Sequence, residues 1–491
     1  MKRLLLLISI LSTSTYTVYG QAEGSVVSAT GRGGVATTIV TDYHSIGINP
    51  ANLGFRSKYE TKHITFGLLE ANASAFVRGV TPQQMNEFIF SSNPLSPANQ
   101  ATAASLFKGS NMTVNADVMI AGFSFQSDKL GGLAFSINDV ARGYGGLSSN
   151  FTNMAFSGAL STEYFKNLQT QNGGVVPNDP ARYDQYTNDP AYGGITAGIA
   201  STPITLGRVM NGTNIKSTYF RTFNAAYGRE VFRNDILNIT AGIGIKYVLG
   251  YYYMNMYSDG TTLRGNVAQN TLFSGVSSTL NVPNQGNGGS VVSPSGQGFG
   301  VDLGVTGTLY EKLKFGISIV NIGGIKYTKD VYDVKDTSFI TLAYNKETLD
   351  AFNQTVYWKN GSSFNAKLPT MFRIGGSYAL FDNKVEIGVD IVVPMNHDAG
   401  NINKTLYAAG GDVYLKRWFK LSSGFSIGGN YANSIYTYKT HVSIPFGMTF
   451  IAGENGAWEA SLATRDIVSL IDINGTSPLY SLGICAFRFR V

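Results

Sequence analysis

The sequence predicts an all-β chain, a transmembrane antiparallel β-barrel of about fourteen strands with long extracellular loops. Three observations carry that expectation. Segment after segment alternates apolar and polar residues with period two. The composition is poor in charge without being apolar: 14% of the 491 residues are charged, with 57 Gly, 28 Tyr and 29 Phe, against roughly 25% charged in a soluble domain. Short charged turns also alternate with long connections, the rhythm of barrels that cross an outer membrane. A secreted β-sandwich or propeller would share the alternation but not that rhythm.

The hairpin from Lys367 to Pro394 shows the alternation most clearly. Val385, Ile387, Val389 and Ile391 fall on one face, and Lys384, Glu386, Gly388 and Asp390 on the other. On the preceding arm Phe372, Ile374 and Tyr378 oppose Arg373, Gly375 and Ser377. Asp382-Asn383 suits the positive φ of a tight turn. A charge on the lipid face costs roughly 2–4 kcal/mol near the bilayer midplane. The charged row is therefore assigned inward, with Arg373, Lys384, Glu386 and Asp390 as lumen-facing candidates. Hydrocarbon also demands closure, because an open sheet edge leaves backbone groups unpaired. No run of about 18 apolar residues exists to cross a membrane as a helix.

Taken in order, the chain begins with Lys2 and Arg3, an apolar run from Leu4 to Leu11, and Val18-Tyr19-Gly20. Residues 1–20 read as a signal peptide cleaved near Gly20, with Gln21 as the mature start. The Gly-rich stretch from Gly31 to Phe55 does not alternate. The ladder then runs through Lys62–Gly79, Val114–Phe125, Leu130–Asn138, Thr218–Arg229, Ile236–Tyr253, Gly300–Leu309 and Lys312–Ile322. After the two arms of the hairpin come Leu406–Val413, Lys420–Asn430, Val442–Ile451, Trp458–Arg465 and Tyr480–Val491. Leu406–Val413 carries the weakest pattern. An even strand number places both termini on the periplasmic side. Pro445 falls on the inward row of an alternating run; it marks either a local bend or a side opening in the wall.

The long connections contain helix signals. Thr81-Pro82-Gln83-Gln84 reads as a capped start, which places Met85, Phe88 and Ile89 on one face. Ser96-Pro97 opens a second helix that ends near Leu106-Phe107, and Met154–Leu168 is a third candidate. Met85, Phe88, Ile89, Leu106 and Phe107 either pack on one another above the barrel or form an apolar gate for a hydrophobic ligand. The acidic loop from Asn178 to Tyr192 is either solvated or a Ca²⁺ site, without a defined ligand spacing.

Catalysis finds little to stand on. The 4 histidines, His44, His63, His397 and His441, are scattered without metal-ligand spacing. His397-Asp398 would need a serine brought near. Cys485 is the only cysteine, which excludes an intramolecular disulfide. Gly31-Arg32-Gly33-Gly34 lacks the flanking strand and helix of a phosphate loop. No catalytic residue, metal or cofactor is assigned. The formal charge of +6 includes both leader residues and implies no nucleic-acid partner.

The stretch from Gly31 to Phe55, with Asp42 and Asn49-Pro50-Ala51, resembles the start of the FadL-type outer-membrane transporters. It looks equally like their relatives among the PorV and PorQ type IX secretion barrels. Leu368-Pro369-Thr370 before an alternating strand is a second shared feature, and Asn-Pro-Ala-Asn-Leu-Gly resembles uncharacterised outer-membrane proteins of Bacteroidota. Phe487, Phe489 and Val491, alternating with Arg488 and Arg490, resemble the terminal assembly signal of such barrels, though ending on Val rather than Phe. The resemblance implies a monomeric barrel over residues 61–491, held among outer-membrane lipid, with residues 21–60 folded into its lumen as a hatch. Gly31, Gly33, Gly34, Asp42, Asn49, Pro50 and Ala51 would be the hatch residues; a periplasmic tail or a lone edge strand is the alternative. It implies uptake or binding of small hydrophobic compounds. The competing expectations are a type IX secretion barrel that binds secreted proteins at the surface, and a structural or porin-like barrel.

Overall fold

A computed structural model describes residues 26–55, 63–85, 87–88, 95–270, 282–283, 293–345, 352–429, 444–453, 456–471 and 479–491. The signal-peptide residues, Gln21, His441 and Ile89 lie outside the described residues.

Fourteen strands form one antiparallel barrel: β1 (Ile64–Val77), β2 (Asn111–Ser127), β3 (Gly131–Gly146), β4 (Asn214–Arg233), β5 (Leu237–Ser258), β6 (Gly296–Leu309), β7 (Leu313–Tyr327), β8 (Met371–Leu380), β9 (Val385–Pro394), β10 (Leu406–Lys416), β11 (Phe419–Gly428), β12 (Phe446–Ala452), β13 (Trp458–Thr464) and β14 (Leu479–Arg490). Each pairs with the next in the chain. The ring closes where β1 meets β14, with Phe66 opposite Phe489 and Ala73 opposite Leu482. Every alternating stretch of the sequence is a barrel strand, including the weak one now seen as β10. Several strands run longer than the pattern suggests: Val114–Phe125 extends to Asn111–Ser127.

Period-two alternation now has a direction. Phe66, Phe123, Phe135, Ile245, Val305, Ile317, Ile387, Val389, Phe425 and Ile484 project outward and are exposed. The inward row, with Glu70, Asn72, Asp117, Asp302, Arg373, Asp390 and Asp412, is buried. A contiguous apolar exterior around a polar interior is stable in a bilayer and unfavourable in water. No helix among the described residues is long and apolar enough to cross a membrane.

One end of the barrel has short turns. Tyr310 and Glu311 adopt positive φ of 50° and 56°, and Phe381, Asp382 and Asn383 adopt 50°, 52° and 64°. The second turn draws in Lys384, which is exposed there. Lys384 is thus corrected from a lumen-facing residue to a rim residue, because β9 starts one position later, at Val385. The opposite end carries the long connections. Leu263–Gln269, Val331–Lys335 and Tyr357–Asn360 continue the sheet beyond β5. A separate four-stranded sheet joins Ser338–Ala343, Ile195–Thr205, Asn167–Thr170 and Val175–Pro177.

The helix signals are partly realised. Thr81 and Gln84 form the reciprocal capping pair, with Thr81 N–H donating to Gln84 Oε1 (2.9 Å) and Gln84 N–H to Thr81 Oγ1 (3.3 Å). The second helix spans Pro97–Phe107. The third covers Ser149–Ser157 rather than Met154–Leu168, since Gly158 turns at φ 51° and a strand begins at Asn167. Phe88 and Phe107 are buried with Val80, Met112 and Leu147, and Phe107 stacks on Phe156 at 5.0 Å. These residues form a small core at the loop end. The Met85 side chain and Ile89 lie outside the described residues.

Candidate functional site: the filled lumen

The lower lumen contains residues 26–55. Their short elements are a helix, Val27–Gly31, and two 3₁₀ turns, Asp42–Ser45 and Pro50–Gly54. A segment with so little regular structure must satisfy its backbone elsewhere. The inward row of the wall does so.

Asp390 Oδ2 accepts from Ala36 N–H (3.0 Å), Thr37 N–H (2.9 Å) and Thr37 Oγ1 (2.6 Å). Arg373 reaches the same oxygen at 3.3 Å, and its Nε donates to Thr37 Oγ1 at 3.2 Å. Arg32 donates to Asp412 at 2.8 Å, where Lys420 (3.1 Å) and Ser422 (2.6 Å) also converge. Glu386, by contrast, binds Lys314 at 3.0 Å and Ser377 at 3.2 Å, within the wall.

Asn49 shows why an Asn-Pro-Ala turn suits this place. Its Oδ1 caps the turn by accepting from Ala51 N–H (3.2 Å), while Nδ2 donates to Thr37 O (3.0 Å) and Thr306 Oγ1 (2.8 Å). Thr306 in turn donates to Asn52 (2.8 Å), and Ser318 to Ile48 O (2.6 Å). Pro50 and Ala51 lie directly on the wall, against Gly242 and Gly228. Gly31 rests on the Gly447 backbone of β12, where a Cβ would stand 3.0 Å from Gly447 Cα. Gly33 and Gly34 take φ of 75° and 107°. Glycine here permits close backbone packing rather than phosphate binding.

Asp42 sits in a charged cluster with Arg488, Glu459 and Arg490, the last at 3.8 Å. Beside it Tyr43 OH donates to Glu70 Oε1 (2.6 Å), and His44 Nε2 lies 2.8 Å from Glu70 Oε2. Burial pushes the Asp42 carboxyl up, but Arg488, His44 and Arg490 outweigh it and hold the group below its ordinary value. A carboxyl depressed in the folded state stabilises the protein above its unfolded value, and that contribution is lost as pH falls through the folded value. The midpoint of heat denaturation is therefore expected to drop below about pH 3.9. Asp42→Asn is expected to start lower at neutral pH and to lose part of that acid-side slope. A slope identical in the two proteins would refute the role given to Asp42.

Burial of four such clusters explains what the sequence reading missed. The partners Arg32–Asp412, Asp42–Arg488 and His44–Glu70 lie far apart in the chain. The only hint was that Glu70, Asp302 and Arg488 occupy positions where charge should not face lipid.

Pro445 is buried immediately before β12, rather than inside a strand. Its carbonyl accepts from Ser423 Oγ (3.0 Å), and its ring lies beside Gly33. Among the described residues the β11–β12 ladder runs from Phe419–Phe450 to Ser423–Phe446, and β11 continues to Gly428.

The upper lumen is of different character. Tyr327 and Phe364 stack, and Tyr253 packs tilted against both, with centroids 5.2–5.4 Å apart. Phe220, Val248, Ile325, Leu368 and Ala399 surround them. Asp398 does not pair with His397: its carboxylate accepts from Tyr253 OH (2.6 Å), Lys367 N–H (2.8 Å) and Ala399 N–H (3.0 Å). In the outer acidic loop, Asp179 and Asp189 accept from the N–H groups of Ala181 and Ala191. Among the described residues no group of three or more His, Cys, Asp or Glu is placed to hold a metal.

The architecture is that of a transmembrane β-barrel whose lumen is occupied by its own chain. A family model described as a family of unknown function (DUF5723) matches residues 201–435. No curated protein matches the chain in sequence. Among solved structures, the Pseudomonas putida toluene transporter TodX is 11% identical, with 96% of this chain and 99% of that chain covered and a TM-score of 0.44. A Pseudomonas aeruginosa FadL homologue is 13% identical, with 96% and 98% covered and a TM-score of 0.38. The CymD monoaromatic hydrocarbon channel is 12% identical, with 96% and 99% covered and a TM-score of 0.40. At these scores the likeness carries no weight for what the lumen admits.

Proposed function

We propose that this barrel resides in the outer membrane and takes up small hydrophobic compounds. The observation that carries the reading is the division of the lumen. An aromatic and aliphatic cluster lies beneath the loops, above a polar lower lumen occupied by residues 26–55. Apolar solutes gain by leaving water for the first and are repelled by the second. Residues 26–55 would act as the hatch that keeps water and ions out, with Asn49-Pro50-Ala51 as its seat. Phe88, Leu106 and Phe107 would form the outermost apolar gate. A sideways exit into the bilayer beside Pro445 belongs to the same reading, and would spare an apolar solute the polar route. Cleavage near Gly20 and kinship with Bacteroidota barrels belong to the same proposal.

The test is entry of N-phenyl-1-naphthylamine, a fluorescent hydrophobe, into cells whose outer membrane excludes it. Expression of the barrel is expected to speed entry several-fold without admitting glucose. Equal rates with and without the barrel would sink the uptake reading, and glucose entry would favour a porin. Capture of secreted proteins without hydrophobe entry would favour the secretion-associated alternative.

A further inference from the structure

The connection between β9 and β10 does not rise away from the barrel. From Met395 to Thr405 it folds inward and crosses the lumen. Its near side is pinned to the strand ends around it: Asn396 Nδ2 donates to Leu368 O (2.8 Å), and Asn401 Nδ2 to Thr370 O (3.0 Å). Its far side meets the opposite wall. Arg142 of β3, held by Asp117 at 2.9 and 3.0 Å, donates to Gly400 O at 3.2 Å. Lys216 of β4 donates to His397 O at 2.5 Å, and Tyr253 of β5 to Asp398 at 2.6 Å. In the closed ring β3 lies diametrically across from β10.

Between these tethers the loop inserts Ala399, 3% exposed, into the apolar cluster of Phe220, Val248, Tyr253 and Tyr327. Ala399 contributes only a methyl group to this cluster of rings. It adds little apolar contact compared with what a ring-sized molecule would bury there.

We propose that Ala399 occupies the subsite for an apolar ligand in the upper lumen, and that the loop from Met395 to Thr405 is a latch displaced when a small aromatic or aliphatic molecule takes its place. The inference rests on the hydrophobe-uptake reading and makes it specific. Loop and ligand compete for one set of rings. The three far-side hydrogen bonds set how strongly the ligand must bind to win, because a ligand shifts a two-state element only by its differential affinity. Charged solutes meet the same tethers but gain nothing from the rings.

The experiment uses the full chain with two readouts. Indole, small and water-soluble, serves as the probe, and its affinity is measured by ligand-observed NMR on protein in nanodiscs. In parallel, Ala399→Cys in a Cys485→Ala background reports loop displacement through its labelling rate with a hydrophilic maleimide. Saturating indole is expected to raise the labelling rate roughly tenfold. Asp398→Ala, which removes the Tyr253 tether together with the bonds from Lys367 and Ala399 N–H, is expected to tighten indole binding at least about tenfold, the equivalent of one hydrogen bond to a charged group. It is also expected to speed labelling without indole. Indole binding that leaves the labelling rate unchanged overturns the latch while leaving hydrophobe uptake standing. No binding in either the parent protein or Asp398→Ala overturns both. Binding seen only in Asp398→Ala supports the latch. Should Asp398→Ala fail to fold, Lys216→Met removes a different tether and is read the same way.

Discussion

Replacing Arg373 by alanine is expected to destabilise the barrel by about 3–5 kcal/mol, the cost of leaving a buried carboxylate without its cation. Arg373 and Asp390 are both fully buried. Among the described residues Asp390 Oδ1 and Arg373 Nη1 have no hydrogen-bond partner, and the remaining donors to the carboxylate, from Ala36 and Thr37, are neutral. The loss should appear as a lower temperature for the shift from fast to slow gel migration. It should also loosen the turn at Ala36 and Thr37, whose N–H groups share Asp390 Oδ2. Combining Arg373→Met with Asp390→Asn is expected to recover most of the stability, since removing both charges removes the desolvation cost as well. If Arg373→Ala alone melts like the parent protein, the pair does not hold the segment as described.

Gly242→Val is expected to unseat residues 26–55 while leaving the barrel assembled. A Cβ at position 242 would stand 2.3 Å from the Pro50 carbonyl carbon, and one at Gly228 would stand 2.4 Å from Pro50 O. Both clashes are with backbone, which cannot rotate away. Valine is otherwise well suited to a strand, so closure of the ring should survive. Overpacking of this kind costs about 1–3 kcal/mol, which corresponds to roughly a five- to 150-fold loss of protection for the segment. Protease cleavage between Val26 and Phe55, followed against heat-modifiable migration as the measure of an intact barrel, separates the two effects. Unchanged protection would mean that the Asn49-Pro50-Ala51 turn does not depend on the glycine seat.

Most of the barrel was legible because its determinants are local. Alternation between lipid-facing and lumen-facing residues is written into each strand, as in Val385–Pro394, and positive-φ residues such as Asp382 and Asn383 mark where one strand turns into the next. The solvent on each side does the rest: a bilayer excludes charge from one row and requires the ring to close. Even so, Lys384 was misplaced, because one residue of turn length decides whether a charge at a strand end enters the wall or stays at the rim.

The site was legible only in part. Arg373 and Asp390 could be assigned inward from parity, and Asn49-Pro50-Ala51 could be recognised as a turn. Their mutual distances could not, because inward parity says which face a residue shares and not which of the other strands it meets. Arg32 finds Asp412, Asp42 finds Arg488, and Gly400 finds Arg142 only once the ring has closed and the chain has folded back into it. The inward course of the Met395–Thr405 loop is likewise a product of tertiary structure. Nothing in its composition distinguishes it from the long connections that rise above the rim, and its direction comes from tethers on strands across the lumen. Local periodicity thus determined the wall and its two faces, while long-range closure decided what fills the lumen and where an apolar ligand would have to displace it.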